Sequence, residues 1–542
     1  MDPKNAGSRQ RTNVARRAGK VSIATMTSRV LGLVREQVVA VFFGAGFATD
    51  AFNVAFRIPN LLRDLFAEGA LSSAFVPVFS DHLTKKGKKE ALSLANSIFN
   101  SLTIIVSLIC LLGILFSPFI TKLMAPGFSS IPGKLELTAG LTRIMFPFLL
   151  FISLAALAMG VLNSLDRFFV PALSPTMFNL GWIGGAILLS PLFSMAGMEP
   201  VTSMAVGVLV GGAAQFLIQV PFVYKEGFRW KAGLELNDPG LRRVLVLAGP
   251  AVVGLAATQV NILVNTQIAS FLREGSVSWL NYAFRLMQLP IGVFGVAIAT
   301  VTLPSISRHI SEGKTDEFKK TITHSLELIG LLTIPCTFLF LSLSSPIVSI
   351  LYQHGRFGPF DTTQTAHALI FYSLGLFGYS SVKVLAPAFY ALGTPRVPVT
   401  IGFFTVGTNI ALNLILMRPL GHIGLALSTS VTAFLNMGLL MRSLRRRTGR
   451  FGFRGLFHSV LRMLLASAAM AIVARFSWSI LSRALGGERL LASIFSLLLS
   501  FLLAGVTMLV VLKLMKAKEL SYLRELIPGL EKPSSEDDTR LP

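Results

Sequence analysis

The sequence predicts an all-α polytopic membrane protein of about fourteen transmembrane helices. The helices are expected as two pseudo-twofold-related six-helix lobes followed by two additional C-terminal helices. Three observations predict this. Only 14% of the 542 residues are charged and the mean hydropathy is +0.67, whereas a soluble domain carries roughly 25% charged residues. Apolar runs of about 20 residues recur from Val21 to the run before Lys513, the length that crosses a hydrocarbon core of about 30 Å. The pentapeptide Asn53-Val54-Ala55-Phe56-Arg57 recurs as Asn281-Tyr282-Ala283-Phe284-Arg285, which marks an internal duplication. The runs do not alternate and are rich in Leu, Ile, Val, Phe and Gly, unlike the short alternating strands of a barrel.

Residues 1–20 form a basic segment ahead of the first span, 21–43. That run has no small-residue cleavage site, so it is read as a retained helix and not as a removed signal. The next spans fall near 48–82, 91–120, 136–162, 171–192 and 200–224, completing an N-lobe over 21–225. A C-lobe over 226–446 follows, with spans near 244–272, 277–307, 321–345, 363–392, 397–417 and 421–441. The match between the lobes continues through Phe66/Phe294, Pro77/Pro304 and His82/His309 to Pro171/Pro398. Six spans separate equivalent points, so both copies enter the membrane in the same direction, with a cavity expected between the lobes. Residues 447–515 hold two spans, near 457–482 and 490–512, that have no counterpart in the repeat; 516–542 is a tail.

The net charge of +23 raises the question of nucleic acid. Its distribution answers it. About 34 Lys and Arg fall on the side of the N-terminus, the alternate loops and the tail, against about seven on the other. Both termini are therefore expected in the cytoplasm. The patches 85–89 and 445–450 read as topology signals and contacts to anionic membrane lipids. Cys110 and Cys336 lie singly in apolar runs, which implies neither a disulfide framework nor a metal cluster.

The first two spans hold most of the charge expected at membrane depth: Arg29, Arg35, Glu36, Asp50, Arg57, Arg63, Asp64 and Glu68. An ionisable group there costs several kcal/mol unless it faces a watered cavity or a partner, so such groups mark transport paths. Arg29 and Arg35 are six residues apart, about 240° around a helix, so they share a wide cavity and not one narrow face. The second span is too long for one straight crossing, and Pro59 is the expected hinge. The eighth span repeats the device with Arg285 and Pro290, and the tenth adds Lys383 before Pro387.

Arginines clustered in a low-dielectric cavity suit an anionic, phosphate-bearing substrate, because the guanidinium grips phosphate oxygens in pairs. Arg29, Arg35, Arg57, Arg63, Arg285 and Lys383 are the candidate binding residues, with Asp50, Glu36, Asp64 and Glu68 as acidic gating partners. Each arginine could instead pair locally or reach to the interface. Arg143 and Arg475 read as helix-end or packing charges, and His82, His309 and His324 as solvated. No HExxH, P-loop or supported GxSxG occurs, so no enzyme site and no cofactor are expected. Energy would come from the membrane potential, a monovalent cation or the substrate gradient. Glu327 is the one clear intramembrane carboxylate from the seventh span onward, Asn261, Asn265, Asn409 and Asn413 are the neutral oxygens at hand for a cation, and a metal site stays undetermined.

Residues 28–79, from SRVLGLVREQ through TDAFNVAFRIPNLLRD to FAEGALSSAFVPVF, closely resemble the MurJ (MviN) family of lipid II flippases. Further matches are 276–307 (SVSWLNYAFRLMQLP onward), the APGF of Ala125 to Phe128, and 382–398 (VKVLAPAFYALGTPRVP). The resemblance implies the multidrug, oligosaccharidyl-lipid and polysaccharide exporter superfamily, with two extra C-terminal helices that could hold a polyprenyl tail. It also implies that Arg29, Arg35, Arg63 and Arg285 bind substrate, and that Asp50 and Glu68 are family acidic positions. Arg57 stands where a lysine is common, and Asp64 where a second basic residue is often seen.

The expected function is translocation of the undecaprenyl-diphosphate-linked peptidoglycan precursor by alternating access through an arginine-lined cavity, with cell-wall synthesis proteins as possible partners. Alternatives are a flippase for another polyprenyl-linked glycan, distinguished only by substrate, and a drug or cation antiporter, which would need a cavity dominated by carboxylates. A membrane glycosyltransferase would need acidic catalytic motifs at an interface, and these are missing from the sequence.

Overall fold

The computed structural model describes residues 3–64, 72–233, 238–449, 452–486 and 489–525. Among them every regular element is helical. The chain forms two compact units, Met1–Trp279 with Tyr352–Asp361, and Leu280–Leu351 with Thr362–Pro542. The seventh span and the first turn of the eighth thus belong to the first unit.

In the first unit α1 (Pro3–Phe43), α2 (Phe47–Arg63), α3 (Ser72–Lys86) and α4 (Lys88–Leu115) lead through α5 (Ser117–Met124) to α6 (Lys134–Met145) and α7 (Phe148–Ser164). Then come α8 (Phe169–Gly184), α9 (Ser190–Met195), α10 (Thr202–Leu217), α11 (Val220–Lys225) and α12 (Pro239–Ser270). From α13 (Ser276–Pro290) the chain passes into the second unit, with α14 (Val296–Ser311), α15 (Thr315–Tyr352), α16 (Pro359–Ser373), α17 (Leu376–Ala391), α18 (Arg396–Leu420) and α19 (His422–Thr448). It ends with α20 (Phe453–Ala484), α21 (Leu490–Leu514) and a short α22 (Glu519–Glu525).

Each expected span falls on one helix or on consecutive helices. The second is α2 and α3, the fourth α6 and α7, the fifth α8 and α9, the sixth α10 and α11, and the eighth α13 and α14. Among the described residues ten helical segments are long and apolar enough to cross a bilayer, or eleven if α16 and α17, bent by 44°, are one span. Helix α2 runs through Pro59 to Arg63 and does not stop at 58–60. Pro290 is the last residue of α13, and a π-turn at Ile291–Gly295 follows it into α14. A second π-turn, Gly185–Leu189, joins α8 to α9. Proline withdraws a donor from the helix ladder, and a π-turn redistributes the carbonyls it leaves.

Apolar packing in lipid supplies no hydrophobic drive between helices, so close backbone approach has to supply contact. Helices α8 and α10 do this with glycine. A Cβ on Gly181 would lie 2.4 Å from the Gly211 Cα, and one on Gly185 2.6 Å from the Gly207 Cα. On both helices the glycines are four residues apart, hence on one face. Helix α8 also packs against α1, and α2 against α6. Phe75, Phe79, Ile98 and Leu157 centre the core beneath α3, α4 and α7, while Ile306, Phe318, Leu385 and Phe389 centre that of the second unit.

Candidate functional site

The charges of α1 and α2 take different surroundings. Arg29 is exposed and has no hydrogen bond or ion pair among the described residues. Arg35 is buried: its guanidinium pairs with Glu36, donates to Asn179 Oδ1 at 3.0 Å, and lies 4.3 Å from the centre of the Trp182 ring. Asn179 in turn donates to the Ser28 carbonyl at 3.1 Å, so the Arg35 pocket ties α1 to α8. Arg63 pairs with its neighbour Asp64 at 2.9 Å, and the Gln259 amide of α12 reaches the same carboxylate at 3.5 Å. Arg57 is half-buried on α2. Glu68 lies outside the described residues.

Asp50 is the most enclosed of these groups, with 1% exposure. Its carboxylate accepts from the backbone N–H of Gly275 at 2.8 Å and of Ser278 at 3.0 Å, and from the Ser278 hydroxyl at 2.7 Å. Lys134, also 1% exposed, completes the cluster at 3.1 Å and lies 4.4 Å from the Phe128 ring centre. Asp50 therefore caps the amino end of α13, where free N–H groups and the helix dipole favour an anion. The favour is returned. Glu274, just before α13, accepts from the Phe47 N–H at the start of α2 at 2.8 Å.

The connection before α16 joins the same group. The Trp279 indole donates to Asp361 at 2.9 Å, and the Arg356 N–H donates to the Val41 carbonyl at 2.9 Å. Gly44, at φ +64, ends α1 here, and a Cβ on it would meet the Arg356 carbonyl oxygen at 2.6 Å.

Lys134, Glu274 and Asp361 were not among the residues expected from sequence. The repeat held the one usable signal: shifted by the 227–228 spacing, Asp50 falls on Ser278 and Lys134 on Asp361.

In the second unit Arg285 is half-buried on α13, and Lys383 is exposed on α17 with no hydrogen bond or ion pair among the described residues. Asn409 and Asn413 of α18 bond one another and Ser428 of α19, with Asn409 donating to the Ser428 hydroxyl at 2.8 Å. Among the described residues no three His, Cys, Asp or Glu side chains stand together as metal ligands.

Glu327 on α15 is buried but engaged. It accepts from Lys518 Nζ at 2.8 Å, the Tyr522 hydroxyl at 2.8 Å and the Ser459 hydroxyl at 3.2 Å. Buried Glu519 accepts from Arg462 of α20 at 2.9 Å. Part of the segment beyond 516 is thus anchored, with Lys518 and α22 held by three polar contacts to α15 and α20.

Burial alone would lower the Lys518 pKa; the hydrogen bond and charge of Glu327 outweigh it and raise it. A raised lysine pKa stabilises docking fully below the unfolded value of about 10.4, and the contribution is lost as pH rises through the folded value. The protection of amides 518–525, taken relative to the intrinsic exchange rate at each pH, is expected to hold from pH 8 to about 10 and to fall above it, with Lys518→Met less protected throughout. Protection unaffected by either change would refute the anchor.

A polytopic helical bundle with charges set inside its first two spans defines a multi-pass membrane transporter. The family model described as "Lipid II flippase MurJ" matches residues 39–496. The chain belongs to the MurJ family. A probable lipid II flippase MurJ of Vibrio cholerae is 38% identical over 481 residues, 86% of this chain and 91% of the relative. The lipid II flippase MurJ of Burkholderia cenocepacia is 38% identical over 439 residues, 80% of this chain and 84% of the relative. Among solved structures, "Lipid II flippase MurJ, inward closed conformation" superposes with a TM-score of 0.75 at 28% identity, covering 92% of this chain and 99% of that one. An inward-facing multidrug resistance MATE transporter of the MOP superfamily shares the fold, with a TM-score of 0.63 at 14% identity over 80% of this chain and 98% of that one. The protein is a multi-pass protein of the bacterial cytoplasmic membrane.

Proposed function

We propose that this protein is a lipid II flippase, moving the undecaprenyl-diphosphate-linked peptidoglycan precursor from the inner to the outer leaflet by alternating access, with both termini cytoplasmic. Family membership across most of the chain supports the substrate, since the matched relatives are named for it. The cationic side chains support the chemistry. Arg29 and Lys383 are exposed on membrane helices without a partner among the described residues, and Arg57, Arg63 and Arg285 are only partly covered. A diphosphate offers such groups the paired oxygens they bind best. Arg35, packed on Trp182 and paired with Glu36, acts by fixing α1 against α8. The activity is transport and not catalysis, and the membrane potential or a monovalent cation drives it.

The test is the leaflet accessibility of lipid II in cells depleted of the protein and complemented at matched expression. Wild type should restore outward exposure. Arg29→Ala or Arg285→Ala should reduce it roughly 10- to 100-fold, the loss expected when a charge-assisted contact of about 1.5–3 kcal/mol is removed. Unchanged exposure on depletion would overturn the reading, and accumulation of a different polyprenyl-linked glycan would reassign the substrate.

A further inference from the structure

Arg475 lies nine residues before the end of α20, about 13 Å along the helix from its C-terminal end. It is exposed and makes no hydrogen bond, ion pair or ring contact among the described residues. The chain offers no carboxylate nearby in sequence: no Asp or Glu occurs between Asp361 and Glu488, so α17, α18, α19 and α20 are free of acidic residues. Helix α15 has none beyond Glu327, which is occupied by Lys518 and Tyr522. An unpaired guanidinium in a membrane helix is costly, and with no counter-charge among the described residues it is open to an anion from outside the chain.

The surroundings of Arg475 say what kind of anion that is. It lines a cavity of about 480 Å³ in the second unit, with Ser342, Ser344 and Ser345 from the C-terminal part of α15 and Thr363 and His367 from the first half of α16. None of the lining residues is acidic. His367 is exposed and, like Arg475, makes no hydrogen bond among the described residues. A guanidinium, an imidazole and the Ser344 and Ser345 hydroxyls around one opening form a donor set for phosphate oxygens. All three helices meet the cavity on the membrane face that carries the 352–359 connection. On the topology proposed above this is the outer leaflet.

We propose that this cavity is a lipid-phosphate site, in which Arg475 grips the phosphate of a membrane lipid, with His367 and the Ser344 and Ser345 hydroxyls of α15 completing its coordination. The lipid's chains stay in the bilayer along α20. The arginine here is a ligand-binding residue and not a packing charge.

Native mass spectrometry of the purified full-length protein tests the site, with phosphatidylglycerol, undecaprenyl phosphate and phosphate-free diacylglycerol as probes. Arg475→Ala should raise the phosphatidylglycerol concentration for half-saturation of the tightest bound lipid about tenfold. Arg475→Lys should raise it less, His367→Ala should weaken binding in the same direction, and diacylglycerol binding should not change. Loss with phosphatidylglycerol supports the site with bulk phospholipid as its source; loss confined to undecaprenyl phosphate supports it with a polyprenyl phosphate as its source. Equal binding by wild type and Arg475→Ala in both phosphate arms overturns it. Thermal unfolding of Arg475→Ala controls for folding, and the lysine variant keeps the comparison valid if alanine is not tolerated.

Discussion

Replacing Asp50 by alanine is expected to cost about 3–5 kcal/mol of stability, because it strands the buried Lys134 ammonium as an unpaired charge. Lys134→Met should cost a similar amount for the mirror reason. The carboxylate also satisfies two backbone N–H groups and a hydroxyl at the start of α13, so its removal leaves those donors unmet as well. Leucine at 50 combined with methionine at 134 removes both charges together. That double variant should be less damaged than the sum of the two single changes, since neither charge is then left alone. Thermal unfolding of the purified protein in detergent measures all three. Single-variant losses below about 1 kcal/mol would show that the cluster is not a buried ion pair in solution.

Placing a methyl group on Gly211 should be nearly as harmful. Its Cβ would sit 2.6 Å from the Phe178 carbonyl oxygen, which is backbone and cannot rotate away. The crossing of α8 and α10 would have to open, at an expected cost of about 3 kcal/mol, with larger side chains preventing a stable fold. Gly184, one position from the contact stripe, has open space at its Cβ. Gly184→Ala should therefore be neutral or slightly stabilising, by up to about 1 kcal/mol. The yield and melting of monodisperse protein for the two alanine variants separate the cases; equal behaviour would mean that the helices do not approach as described.

What the sequence disclosed, and what it hid, follows from the range of each interaction. Apolar runs are local, so the spans were legible to within a few residues, and so was the family. Interruptions inside spans were harder, because Pro59 sits within an intact α2 while Pro221 follows directly on the break between α10 and α11, so a proline alone does not say whether a span is interrupted. Long-range pairings left almost no trace. Arg35 on Trp182 and Asn179 joins positions whose proximity no periodicity encodes. Glu327 read as a lone carboxylate open to a coupling ion, because its partners stand in a segment that by composition is an ordinary charged tail. The Asp50 cluster sits between these extremes. Its members are far apart, but the duplication maps them onto one another, so the repeat carried information about contacts as well as about architecture.

The Glu327 anchor also sets an order of events during synthesis. Its lysine partner lies 191 positions further along the chain, so at 5–20 residues per second α15 leaves the ribosome roughly 10–40 s before Lys518 does. Throughout that interval the ninth span has to be accommodated with its carboxyl group lacking both Lys518 and Tyr522, and Ser459 is the earliest of its three described partners to emerge. The second unit can close over this carboxyl only once Lys518 and Tyr522 have been made. Chains that terminate at 515 should therefore fail late, after membrane insertion, as inserted but unlatched protein exposed to quality-control proteases.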